Sequence, residues 1–144
     1  MQPLTVPGRL DSLETIRKYI MLAADDAGLE RARTYKLNLA VDEIATNIIT
    51  YGYQRAGLDG NILVEAIIDE HALTIKLDDT SGYFDPTSKM STPPESYTQS
   101  LEERTIGGWG VYLATKSVDQ FQYTRINDHN LNIFIMYRDT QAVE

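Results

Sequence analysis

The hydrophobic period of this chain changes from helical to alternating partway along, and that change limits the folds open to it. From about Asp11 to Ala27, Leu13, Ile16, Ile20, Ala23, Ala24 and Ala27 recur on one helical face, with Asp11 or Ser12 as N-cap and Gly28 as stop signal. A second, longer helix is predicted from about Glu30 to Tyr51, with Leu37, Ala40, Val41, Ile44 and Ile48 on one side before Gly52 ends it. The period then becomes two. Ile62, Val64, Ala66 and Ile68 alternate, Asp69 to His71 make a tight connection, and Leu73, Ile75 and Leu77 alternate again, which reads as a β-hairpin with one buried face. Pro86 to Ile106 has no period and is rich in Ser, Thr, Pro and Glu; irregular segments this long in a small domain are usually functional or disordered. A short helix from about Gly110 to Ser117 follows. A last hairpin is predicted with Phe121 and Tyr123, a turn at Asn127 to Asn130, and Leu131, Ile133, Ile135 and Tyr137 alternating. Helices first and mostly antiparallel strands after them argue for an α+β, two-layer sandwich, with the helices on one face of a mostly antiparallel mixed sheet.

With 144 residues and 42% hydrophobic content, the chain suits one domain spanning residues 1–144. No stretch approaches the roughly 20 consecutive apolar residues of a membrane span, and MQPLTVPGRLDS has no signal-peptide pattern, so a cytoplasmic location away from membranes is expected. The absence of cysteine removes disulfides, thiolate metal sites and thiol nucleophiles, and His71 and His129 lie too far apart in sequence to suggest zinc. A net charge of -8, from 13 basic and 21 acidic residues with no basic run, argues against direct nucleic-acid binding.

Three segments carry chemistry. In LAVDEIATNIITYGY (Leu39 to Tyr53), Glu43 and Asn47 lie one helical turn apart on the border of the apolar stripe. There an amide oxygen suits Mg²⁺ and a carboxylate can deprotonate a nucleophile, although such a pair is most often a solvated edge. In LDDTSGYFDP (Leu77 to Pro86) an alternating strand ends in two aspartates and a Ser-Gly turn. Asp79 at the strand end can accept a hydrogen bond from an amine such as the adenine N6 group, and Gly82 would let backbone approach a ligand; a plain turn is the simpler reading. In TIGGWGVYLATKSVDQF, three glycines in four positions precede a helix, where backbone N–H groups suit phosphate oxygens. This cluster matches neither the Walker spacing nor a dinucleotide fingerprint.

Taken together and in this order, the segments resemble the N, G1 and G2 boxes of the ATP-binding superfamily shared by gyrase, Hsp90, sensor histidine kinases and MutL. Within it the chain most resembles the anti-sigma factor serine kinases. The N-box pattern is met by Glu43, Asn47, Ile48, Ile49, Gly52 and Tyr53, the G1 pattern by Asp79 and Phe84-Asp85-Pro86, and the G2 pattern closely by Gly107 to Leu113. The resemblance implies the Bergerat ATP-binding fold, ATP and Mg²⁺ as cofactors, and an ATP lid at about residues 86–106. It implies that Asn47 coordinates Mg²⁺, that Asp79 with Gly82 reads adenine, that Gly107, Gly108, Gly110 and Val111 hold phosphates, and that Glu43 is the general base. Arg104, at the end of the lid, would contact a terminal phosphate.

The chain departs from the pattern at Ser81, where relatives carry a glycine, and at Tyr51, where many carry a histidine. A positive φ at Gly82 would accommodate the first departure. The expected function is that of an ATP-dependent protein serine kinase which phosphorylates an antagonist protein, binds a sigma factor and switches transcription by partner exchange, as a homodimer. The alternative is a nucleotide-responsive binding module of the same fold with little phosphotransfer. A sensor histidine kinase fragment would need an upstream helix with an acceptor histidine, for which the chain has no room.

Overall fold

The computed structural model describes residues 1–83, 85–86 and 109–138. Five strands form one sheet: β1 (Leu4–Pro7), β2 (Asn61–Ile68), β3 (Ala72–Asp79), β4 (Gln120–Ile126) and β5 (His129–Tyr137). Their order is β1-β2-β3-β5-β4, and all four pairings are antiparallel. Among the described residues three α-helices accompany them: α1 (Leu13–Ala27), α2 (Arg31–Asn47) and α3 (Trp109–Ser117). α1 packs on β1, β2 and β3, while α2 lies between α1 and α3 and reaches β5. The result is the expected two-layer α+β sandwich.

The stripes read from the sequence are the ones buried. Ile16, Ile20, Ala23 and Ala24 of α1 and Leu37, Ala40, Val41 and Ile44 of α2 meet Ile62, Val64, Leu73, Ile75 and Leu77 of the sheet. Gly28 ends α1 in the left-handed conformation, with φ 76°, and its N–H donates to the carbonyls of Ala24 and Asp25. The expected N-cap bond is not made. Ser12 occupies the cap position, but its hydroxyl donates to the Pro7 carbonyl at 2.7 Å and so fastens α1 to β1. The tight connection after β2 is closed by Asp69, whose Oδ1 accepts from the N–H groups of His71 and Ala72. These bonds hold its carboxyl below the usual range.

Two sequence expectations are corrected. The helix expected over Glu30 to Tyr51 is α-helical only to Asn47, and the chain then widens into a π-helical segment, Ile48–Gln54. π-helical turns often occur at functional sites, where the extra residue per turn changes which side chains face inward. Here the wider turn buries Gly52 and Tyr53. On β5 the face toward the helices is Asn130, Asn132, Phe134 and Met136, not Leu131, Ile133, Ile135 and Tyr137. Pairing with β3 decides this, because the inward residues Ile75, Leu77 and Asp79 stand opposite Phe134, Asn132 and Asn130. Leu131, Ile133 and Ile135 are half-buried on the other face, alongside Asp78, Lys76 and Thr74 of β3.

Tyr53 fastens the π-helical segment to the sheet. Its ring is buried between Gly8 and Gly60, where an added Cβ would come within 2.3 Å and 2.6 Å of ring carbons. Its hydroxyl donates to the Asn61 carbonyl at 2.8 Å and accepts the Thr80 N–H at 3.0 Å. Tyr53→Phe removes both bonds and leaves two backbone groups without their partner. The expected loss is about 1–3 kcal/mol of unfolding free energy, read from urea denaturation.

Candidate functional site

The end of α2, the π-helical segment, the end of β3 and the inward face of β5 converge on one small cavity. Ile44, Asn47, Ile48, Gly52, Asp79, Ser81, Pro86, Asn130 and Asn132 line it. Its volume is about 10 Å³, room for one water, so a larger ligand enters only if the walls part.

Asp79 is the polar centre of the cavity and is 1% exposed. Its Oδ1 accepts from the Ser81 N–H at 2.9 Å, the Ser81 hydroxyl at 2.5 Å and Asn130 Nδ2 at 3.1 Å. Its Oδ2 is buried without a partner among the described residues. Asn47 Nδ2 and Asn132 Oδ1 are in the same condition. Buried polar atoms are seldom left unpaired in the interior of a folded domain, and three around one cavity mark a place prepared for a polar ligand.

The turn beyond Asp79 is held from two sides. Asn130 Nδ2 also donates to the Gly82 carbonyl at 3.0 Å, and Arg125 Nη1 donates to Asn130 Oδ1 at 3.0 Å and to the Ser81 carbonyl at 3.3 Å. The Tyr123 hydroxyl donates to Asn130 Oδ1 as well. On the other side lies Gly52, where a Cβ would meet Ser81 Oγ at 2.5 Å and Ser81 Cβ at 2.7 Å. This corrects the expectation about Gly82. Among the described glycines only Gly28 and Gly57 have positive φ. Ser81 is accommodated by the space that Gly52 leaves, and its hydroxyl is committed to Asp79. Tyr51, the second departure, stacks beneath the Arg55 guanidinium, 4.7 Å from the ring centroid.

Glu43 and Asn47 lie one turn apart on α2, as the spacing predicts. Asn47 is buried at the cavity, whereas the Glu43 carboxylate lies directly against Gly110 at the start of α3. A Cβ on Gly110 would fall 1.7 Å from Glu43 Oε1, so only glycine permits this contact. Backbone N–H groups in the first turn of a helix carry its positive end. Val111 turns its side chain into the core, which leaves its backbone as the part able to face a ligand. Arg104, Gly107, Gly108, Phe84 and the lid except Pro86 lie outside the described residues. Asn130, Asn132 and Arg125 were not foreseen. Two asparagines at alternate positions of an apolar strand were the available signal.

Burial raises the Glu43 carboxyl above the ordinary glutamate range, and the charge of Asp42 adds to this. The native state therefore holds this proton more tightly than the unfolded chain does. Between the ordinary value and the raised one, stability falls as pH rises, and the deficit persists above that window. Glu43→Gln is expected to flatten this part of the pH profile and to raise stability at neutral pH, as read from urea midpoints between about pH 4 and about pH 8.

Comparison with known proteins identifies the setting of this site. A family model described as the histidine kinase-like ATPase domain matches residues 6–137. The chain belongs to that family. Among its relatives is the serine-protein kinase RsbW of Bacillus pumilus, 26% identical over 121 residues, which are 83% of this chain and 75% of that protein. RsbW of Listeria monocytogenes serotype 4a is 28% identical over 117 residues, 81% of this chain and 74% of that protein. A crystal structure of the RsbU and RsbW domains of a Mycobacterium tuberculosis protein superposes on 96% of this chain with a TM-score of 0.63 at 14% identity. The present chain spans 34% of that longer one, and the likeness concerns the fold. The family's description names an ATPase, and these two relatives are named serine-protein kinases. No described helix is long and apolar enough to cross a membrane.

Proposed function

We propose that this single domain is an ATP-dependent protein serine kinase of the anti-sigma factor type, and that the cavity at Asp79 receives adenine. One observation carries the reading: the unpartnered Asp79 Oδ2 and the unpaired amide of Asn47 face a cavity on one side of α2, while the Glu43 carboxylate meets the start of α3 one turn away. Base recognition at the end of β3 thus lies beside metal coordination and proton transfer on α2.

In this reading Asp79 Oδ2 accepts from the adenine N6 amine, and the turn at Gly82 borders the base. Asn47 makes no side-chain hydrogen bond among the described residues, so its amide is free to present oxygen to Mg²⁺. No group of three or more acidic or histidine side chains is placed to hold a metal among the described residues, which leaves Asn47 together with phosphate oxygens as ligands. The ion, when bound, neutralises charge developing on the phosphates. Gly110 and Val111, with Gly107, Gly108 and Arg104, supply phosphate contacts. Glu43 takes the proton from the acceptor hydroxyl onto its carboxylate. Its pKa, raised by burial, makes the ionised carboxylate a stronger base.

The phosphate acceptor is a serine on an antagonist protein. A sigma factor and a second copy of the chain are the further partners in this reading, and the relatives named serine-protein kinase RsbW support serine as the acceptor. The test is transfer of labelled phosphate from ATP to small antagonist proteins encoded near this gene or co-purified with it. Saturable labelling supports the kinase. The alternative is a nucleotide-responsive binding module of the same fold with little or no phosphotransfer. Nucleotide binding without labelling would establish it.

A further inference from the structure

Asp79 is not the only unpartnered acceptor in the cavity. Asn132 sits on β5 two residues beyond Asn130, which pairs with Asp79, and on the same inward face of the sheet. It is 2% exposed, and its Oδ1 is buried without a hydrogen bond. Asn130, by contrast, is fully committed, with its amide nitrogen on Asp79 and Gly82 and its oxygen on Arg125 and Tyr123. The two asparagines thus have different tasks: Asn130 holds the turn and Asn132 is left open toward the cavity.

An exocyclic amine carries two hydrogens that point in different directions, one toward each side of the ring. A single carboxylate oxygen satisfies only one of them. Two unpaired acceptors on neighbouring strands, lining the same cavity, match such a group.

We propose that Asn132 is a specificity-determining residue, its Oδ1 accepting the second hydrogen of the adenine amine while Asp79 Oδ2 accepts the first. This rests on the adenine assignment made above. The pair then reads both hydrogens of a 6-aminopurine, while against a 6-oxopurine it is Asp79 that is left without a donor, because the Asn132 amide can turn its nitrogen toward the oxygen. Burying either acceptor against a ligand that lacks the hydrogen carries the penalty of an unpaired polar atom.

The experiment measures dissociation constants of Mg²⁺-ATP and of purine riboside triphosphate, which lacks the amine, for the native protein and for Asn132→Leu. The variant is expected to bind ATP about tenfold more weakly and purine riboside triphosphate with little change. Equal weakening of both nucleotides would assign Asn132 a structural role and overturn the proposal, as would no weakening of either. If the variant fails to fold, the native protein decides with N6-methyl-ATP, whose amine retains one hydrogen. About tenfold or greater loss relative to ATP is expected when both hydrogens are used; equal binding overturns the proposal, because the methyl group could then occupy an unused side. Native protein that binds none of these nucleotides would instead refute the adenine site itself.

Discussion

Glu43→Gln is expected to leave Mg²⁺-ATP bound within about threefold of the native affinity and to slow phosphate transfer to an antagonist serine by about 10²- to 10⁴-fold. The substitution preserves size and keeps the contact with Gly110. It removes only the ability to take a proton. The same change is expected to raise stability at neutral pH, because burial and Asp42 disfavour the ionised form. A more stable protein that binds ATP and transfers poorly is what a group held for chemistry at some cost to the fold would give. Equal transfer by the native protein and the Glu43→Gln variant, in single-turnover assays with labelled ATP, would remove Glu43 from the reaction.

Asp79→Asn is expected to weaken ATP binding by about 10- to 100-fold, since a hydrogen bond to a charged acceptor is lost and a donor is placed against the N6 amine. The amide cannot satisfy both of its sides. If its oxygen keeps the three donors from Ser81 and Asn130, its NH₂ group takes the place of Oδ2. If it flips, it sets a donor against those donors. The loss should be much smaller for purine riboside triphosphate, which has no amine to read. Competition binding of the two nucleotides checks this, and an equal loss for both would mean that Asp79 shapes the turn without reading the base.

What the sequence could show follows from how much each signal depends on neighbours in space. The stripes of α1 and α2 were legible because a helix face is set by local spacing alone, and Leu37, Val41 and Ile44 are buried as read. So was the hairpin of β2 and β3, because the outer set of β3 is the polar Thr74, Lys76 and Asp78, and Glu65 interrupts the outer set of β2. β5 was not legible in the same way. Both of its faces carry apolar residues, and pairing with Asp79, Leu77 and Ile75 turns Asn130 and Asn132 inward in place of Leu131 and Ile133. The π-helical segment leaves no trace in composition, so Gly52 read as a helix stop when it is the surface against which Ser81 packs. Ser81 looked like a loss for the same reason. Its tolerance depends on a glycine 29 positions earlier in the sequence, which spacing does not reveal.

The central claim is that ATP enters the cavity at Asp79, and the chain carries a probe for it. Trp109, its only tryptophan, is the first residue of α3. Titration of the native protein with Mg²⁺-ATP, followed by tryptophan fluorescence, is predicted to give a saturable change at micromolar to millimolar nucleotide, with the midpoint displaced upward in Asp79→Asn. A flat titration confirmed by calorimetry, or an unchanged midpoint in the variant, would contradict it.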